Sequence, residues 1–396
     1  MIWKCAIIIP APQFGWRWAE DFLMGLPGLI RVLLVLKRAG IGEVILPAGN
    51  ENLEALIEIW RDKRVLPTVR WLERNAFAEA PTPSPLLVVR GGILFEPLVV
   101  RLFADLAAES VTGEARATLT ASETKSVLWS LSKIDRCMPD PFALELPVIL
   151  SRIKCTVFQI PHRLFCRTLE ELRQPGNERM LLSAVGKPTD RWHVRWIRRR
   201  VFPSLRWLAN IGATPNQITW LGFMIGVSGC MILAQGSYWS GIIGAFLLYI
   251  SWVFDCMDGT LARLTLAEST EGERLDRLLG HMTNLSIFGA LVWAAYGRES
   301  PWKAVTYGVF IILSILLAHF VITACGARGY SGSRKNADGK LHKFLDKLNH
   351  RDYAVWLFLF ALLKGFKVFV WCAMIGIHAY WILYLWQGLR HKRHPS

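Results

Sequence analysis

From about residue 216 to residue 389 the chain is a succession of apolar runs, most close to 20 residues long, separated by short polar breaks. A helix needs roughly 20 apolar residues to cross the hydrocarbon core of a bilayer, and backbone inside lipid has to satisfy its own hydrogen bonds. This half is therefore expected to be an all-α bundle of six membrane spans, at about 216–234, 237–256, 275–297, 302–325, 353–366 and 367–388. Only Lys364-Gly365-Phe366-Lys367 separates the last two.

Residues 1–185 read differently, with mixed charge and short apolar runs. Residues 4–10, 43–47 and 86–89 read as buried strands, and 117–120 and 148–153 as further strand candidates. Residues 20–38 read as a helix capped at Gly40, and 51–62 as a second helix. Pro81-Thr82-Pro83-Ser84-Pro85 is a linker. This alternation predicts an α/β layered domain with a largely parallel sheet. Between the halves, residues 188–212 form a basic stretch carrying Trp192, Trp196, Phe202, Leu205, Trp207 and Leu208, expected as an amphipathic helix lying at the membrane interface over 186–214.

The formal net charge is +15, and its placement argues against a nucleic-acid partner. Arginines crowd beside the apolar runs at Arg195, Arg198, Arg199, Arg200 and Arg206 and again around Arg390 and Arg393, where they meet anionic lipid. Lys and Arg are dense in 187–206, 326–352 and 390–394 and sparser in the alternate breaks, so both termini and the acidic site below are expected on the cytoplasmic side. In a bacterium that is the inner or plasma membrane. The eight cysteines are scattered without a CxxC pair, which fits a reducing compartment and no disulfide or zinc framework.

The chemistry concentrates at the inner end of the second span. Asp255 and Asp258 stand three residues apart, followed by Gly259, Ala262 and Arg263, then by Gly272 and Asp276. Carboxylates at a membrane edge are costly to desolvate and imply a compensating cation. Three acidic oxygen ligands beside a glycine and an arginine suit a divalent metal and a pyrophosphate.

The run DxxDGxxAR followed by GxxxD resembles the signature of the CDP-alcohol phosphotransferase family. Thr214-Pro215-Asn216-Gln217-Ile218-Thr219 is similar to the opening of that family's first span, and Asn349-His350-Arg351-Asp352-Tyr353 looks like the start of the fifth span in the subgroup with an N-terminal nucleotidyltransferase domain, as in bifunctional inositol-phosphate cytidylyltransferase and di-inositol-phosphate-phosphate synthases. The likeness covers about residues 188–388. It implies transfer of a phosphoalcohol unit from a CDP-linked donor to an alcohol or phosphorylated alcohol, with release of CMP, in phospholipid or polar phosphodiester synthesis. It further implies Mg²⁺ or Mn²⁺ on Asp255, Asp258 and Asp276, donor contacts from Asn216, Thr219, Gly259, Ala262, Arg263 and Gly272, and pairing of two copies through the membrane domain (215–396).

One departure stands out. The family pattern ends GxxxDxxxD, and here Gly280 occupies the fourth aspartate's position. His281 is a candidate replacement base, yet at about 100° per residue it turns roughly 140° from Asp276, while Thr283 returns to the Asp276 face. The competing reading is a catalytically impaired protein that binds CDP-lipid or a partner. The N-terminal half resembles, more weakly, a sugar-nucleotide or inositol-phosphate cytidylyltransferase (a GT-A or Rossmann-like fold). Bulky Phe14 and Trp16 stand in its phosphate loop and Gly91-Gly92 where Gly-Asp would bind metal, so this domain is expected to have lost its chemistry.

Overall fold

The computed structural model describes residues 3–11, 16–72, 86–109, 115–118, 126–131, 156–159, 166–168, 171–172, 177–182, 192–326 and 353–393. The readings placed on Phe14, 81–85, 119–120, 148–153, the basic segment 327–352 and Asn349–Asp352 lie outside those residues. Two compact units emerge: residues 1–213 with 260–267, and 214–259 with 268–396.

The first unit is built on β1 (Cys5–Ile9), β2 (Phe22–Leu23), β3 (Leu26–Pro27), α1 (Gly28–Ala39), β4 (Glu43–Pro47), α2 (Glu51–Arg61), β5 (Thr68–Leu72), β6 (Leu86–Arg90), β7 (Ile93–Phe95), α3 (Pro97–Glu109), β8 (Ala115–Thr118), β9 (Ser126–Leu131), β10 (Thr156–Gln159), β11 (Cys166–Thr168) and α4 (Trp192–Asn210). Seven strands make one sheet in the order β10-β8-β9-β6-β1-β4-β5. The β1–β4, β1–β6, β4–β5 and β8–β10 pairs are parallel; β9 runs antiparallel to β6 and β8. Strand β1 lies inside the sheet, Ile7 opposite Ile45 on one side and Val88 on the other, and all five of its residues are buried, as a strand covered on both faces requires. Each fully buried isoleucine there contributes about 1.5–3 kcal/mol of apolar burial.

Helix α1 ends where the sequence reading put it: Gly40 has φ 99 and gives its N–H to Leu36 and Lys37. Its start is later than expected. Residues 22–27 form a hairpin instead, turning through Met24 (φ 52) and Gly25 (φ 73), and the helix begins at Gly28. Two consecutive residues at positive φ make the tight turn that matches strand twist. Gly25 is required there twice over, since a Cβ would lie 2.2 Å from the Ala209 carbonyl oxygen of α4. In α4, Ile197, Phe202, Leu205 and Ala209 are buried. Trp196 and Trp207, expected on the same apolar face, are exposed, and Arg200 lies over the Trp196 ring.

Among the described residues the second unit holds six helices: α5 (Pro215–Ala234), α6 (Tyr238–Leu264, its last turn grouping with the first unit), α7 (Thr270–Tyr296), α8 (Pro301–Gly326), α9 (Tyr353–Leu362) and α10 (Phe366–Arg393). Of these, α5, α6 and α7 are long and apolar enough to cross a membrane. The break before α10 falls at Leu363–Gly365, where Lys364 has φ 55 and Gly365 gives its N–H to Phe360. Glycines bring α5 and α6 together. A Cβ on Gly244 would lie 2.8 Å from the Gly229 carbonyl oxygen, and one on Gly222 would lie 3.0 Å from Cβ of Phe254. Such small-residue faces let membrane helices pack by close van der Waals contact. Leu233, Leu248, Leu291, Leu357 and Val370 belong to the buried core of this unit.

Candidate functional site

Three helix segments build the site. Helix α5 starts rigidly: Thr214 accepts the Gln217 N–H at 3.4 Å, the Gln217 side chain accepts the Thr214 N–H at 2.9 Å, and Pro215 occupies the first turn. This fixes Asn216 and Thr219. Helix α7 starts at Ser269, whose hydroxyl accepts the Gly272 N–H, with Glu271 and Glu273 favourably placed in its first turn. A Cβ on Gly272 would lie 3.1 Å from Asn216 Oδ1, so this glycine lets the openings of α5 and α7 meet. The whole DxxDGxx run is helical within α6, which continues to Leu264 instead of stopping at the expected 256.

A cleft with about 490 Å³ of empty space, part of it open to solvent, runs between these helices. Thr219, Asp255, Asp258, Asp276 and Gly280 all line it. Asp258 is buried, at 5% exposure. Its Oδ2 accepts from the Thr219 hydroxyl at 2.7 Å and its Oδ1 from the Gly259 N–H, so both oxygens are held by neutral donors. Asp255 is half-buried and Asp276 exposed. His281 is exposed and outside the lining, as its rotation from Asp276 implies, whereas Thr283 and Asn284 do line the cleft. Ala262 and Arg263 follow Asp258 in the last turn of α6, within the 260–267 stretch that groups with the first unit.

The sequence reading passed over Gly222, Phe223, Leu248, Ser251 and Trp252, which complete the walls. A signal for them was present. Residues 248, 251, 252, 255 and 258 recur at helical spacing along α6, and 276, 280, 283, 284 and 287 along α7. The carboxylates mark one stripe on each helix, and the stripe is the wall.

The donor set suits a hard divalent cation, which prefers oxygen ligands. Three carboxylates line the cleft, and among the described residues no Lys, Arg or His does. The only charged side chains a diphosphate meets in this lining are carboxylates, so a cation would ease its entry. Among the described residues no three His, Cys, Asp or Glu side chains are drawn close enough to hold an ion as they stand.

The first unit has its own crevice. In an open α/β sheet, ligands bind beyond the carboxyl ends of the strands where the strand order reverses. Here the order reverses between β1 and β6, at Ile9–Ala11 and Arg90–Gly92. That place is filled. The Trp18 indole is 3% exposed, and a Cβ on Gly91 would lie 2.6 Å from its Nε1 and 2.7 Å from the Ile9 carbonyl oxygen. Trp16 stacks on Trp18 with centroids 6.1 Å apart, and Trp18 Nε1 has no hydrogen-bond partner among the described residues.

Residues 212–386 match a family model described as CDP-alcohol phosphatidyltransferase. The phosphatidylinositol phosphate synthase of Corynebacterium glutamicum is 29% identical over 132 residues, 33% of this chain and 57% of that protein. The bifunctional IPC transferase and DIPP synthase of Thermococcus kodakarensis is 27% identical over 196 residues, 48% of this chain and 42% of that protein. The chain thus spans about half the length of these curated relatives. Among solved structures, the phosphatidylinositol phosphate synthase of Mycobacterium tuberculosis with CDP-DAG bound is similar at 20% identity and a TM-score of 0.34, over 48% of this chain and 94% of that one.

Proposed function

With a CDP-alcohol phosphatidyltransferase domain over residues 212–386 and helices long enough to span a bilayer, we propose that this integral membrane protein transfers a phosphoalcohol group from a CDP-linked donor to an alcohol or phosphorylated alcohol acceptor. The observation that carries this reading is the cleft of three carboxylates without a basic side chain among its described lining residues. The acceptor oxygen forms a bond to the phosphorus distal to cytidine, the bond from that phosphorus to the bridging oxygen breaks, and CMP leaves. The hydroxyl proton passes to a carboxylate of the cleft. A divalent cation, Mg²⁺ or Mn²⁺, supplies charge neutralisation of the diphosphate and of departing CMP when bound. Asp255, Asp258 and Asp276 are the residues to hold it. Thr219 keeps Asp258 oriented, and Asn216 and Gly272 shape the neighbouring helix openings. Gly280 offers no carboxylate and His281 lies outside the lining, which favours one of the cleft carboxylates as the proton acceptor.

The charge distribution supports a cytoplasmic opening for the cleft, with six spans and both termini on the same side; a homodimer as the working assembly rests on the family resemblance alone. The domain limits we assign are 1–185, 186–214 for an interfacial helix bearing exposed Trp196 and Trp207, and 215–396. For the first domain we infer a nucleotidyltransferase-like fold without turnover, because Trp18 occupies the crevice a nucleotide would need.

The deciding assay is CMP release from CDP-diacylglycerol by the full chain in nanodiscs, with Mn²⁺ or with chelator. Release with Mn²⁺ and none with chelator supports the transferase reading. Absence of release with glycerol phosphate, inositol phosphate and free alcohols alike removes it.

A further inference from the structure

The lining of the cleft extends past the carboxylates. Ser251 lies one helical turn beyond Asp255, and Thr283 two turns beyond Asp276, about 6 and 10 Å further along their helices at 1.5 Å per residue. Both line the cleft with Asn284. They come together over Gly226 of α5: a Cβ there would lie 2.8 Å from Ser251 Oγ and 3.3 Å from Thr283 Cγ2. Three helices thus converge on a polar floor, within apolar segments where polar side chains are costly to bury.

The hydrogen bonds fix what this floor offers. Ser251 donates its hydroxyl proton to the Gly222 carbonyl at 2.7 Å, and Thr283 donates its own to the Leu279 carbonyl at 2.8 Å. A hydroxyl has one proton and two lone pairs, so both oxygens are left as acceptors. An acyl ester or a phosphate oxygen, itself an acceptor, gains nothing from them. A ligand O–H does.

We propose that Ser251 and Thr283, packed over Gly226 in the cleft wall, form a subsite for hydroxyl groups of the acceptor, with Asn284 beside them. This rests on the transferase reading above. In-line displacement puts the entering oxygen opposite the leaving one. CMP is large and charged and belongs at the solvent side of the carboxylates, so the entering alcohol belongs at the floor. The ligand class is an uncharged polyol portion, the hydroxyl-bearing part of a sugar-like or glycerol-like acceptor. Its phosphate, if it has one, lies elsewhere.

Thr283→Val is the test variant, because it keeps the side-chain shape and its lost bond is local to α7. The full chain in nanodiscs is assayed with Mn²⁺, CDP-diacylglycerol and either glycerol phosphate or inositol phosphate. Loss of one hydrogen bond is expected to raise the acceptor KM about threefold to tenfold, with donor KM and Mn²⁺ dependence unchanged. An unchanged acceptor KM, or a raised donor KM in its place, overturns the proposal. A second measurement needs no turnover. Alkylation of Thr283→Cys by N-ethylmaleimide, read site by site by mass spectrometry, is expected to slow at least about threefold when inositol or glycerol phosphate is bound. Cys5 and Cys166, whose thiols burial pushes up to about 12, do not compete for the reagent. Protection without CMP release would retain the subsite and remove the transferase reading. Release without protection would do the reverse.

Discussion

The two units use glycine in opposite ways at corresponding places. In the first, Gly91 gives up its side-chain space to the Trp18 indole, and the crevice at the strand ends is closed. In the second, Gly280 lines the cleft beside the carboxylates and Gly226 makes room for the Ser251 hydroxyl and the Thr283 methyl beneath it, and the cleft stays open. The comparison teaches that a missing side chain does not by itself make a site; what moves into the space decides. An apolar ring that fits the gap converts a binding crevice into core. Hydroxyls committed to backbone carbonyls leave a polar floor.

Substitutions can break that comparison on either side. The largest expected effect is in the first unit. Trp18→Ala removes a buried indole and should cost about 3–5 kcal/mol, read as a lowered urea midpoint for the loss of that unit's sheet. A shift below 1 kcal/mol would mean that the indole is not core. Next is Asp258→Asn, which keeps the shape and the Gly259 bond but removes the charge, and should lower CMP release by at least about a hundredfold.

Alanine at the two glycines sharpens the contrast. Gly91→Ala forces a Cβ against Trp18 and the Ile9 carbonyl and should destabilise the first unit by about 1–3 kcal/mol while CMP release stays near the wild-type rate. Gly226→Ala pushes on Ser251 and should raise the acceptor KM about threefold or more with a smaller change in thermal stability. Equal behaviour of the two variants would erase the distinction. The smallest effect is expected at Gly280→Asp. If the existing carboxylates already accept the proton, the rate should change by less than about threefold; a large gain would show that a missing base limits this chain.

Much of the site was legible in the sequence. The spacing of Asp255, Asp258 and Asp276 located the cleft, and helical rotation alone put Thr283 on its wall and His281 off it. Helical stripes also contained Ser251 and Trp252, though nothing local marks a serine in an apolar run as more than helix glue. The fold was legible where periodicity is regular, as in β1, β4, α2 and the Gly40 cap. It was not where a few residues override it. The hairpin at 22–27 depends on Met24 accepting positive φ, which a leucine-rich run beginning at residue 22 conceals. The Trp18 plug depends on strands β1 and β6, far apart in sequence, lying side by side. The split of α4 into buried Phe202 and Leu205 and exposed Trp196 and Trp207 likewise depends on what the helix packs against.

Everything in the second unit turns on whether the acidic stripe takes up a cation. Isothermal titration of Mn²⁺ into the full chain in nanodiscs, wild type beside Asp258→Asn, measures this directly. Saturable uptake by the wild type that is lost in the variant is the expected result. Identical heats for the two proteins would contradict it.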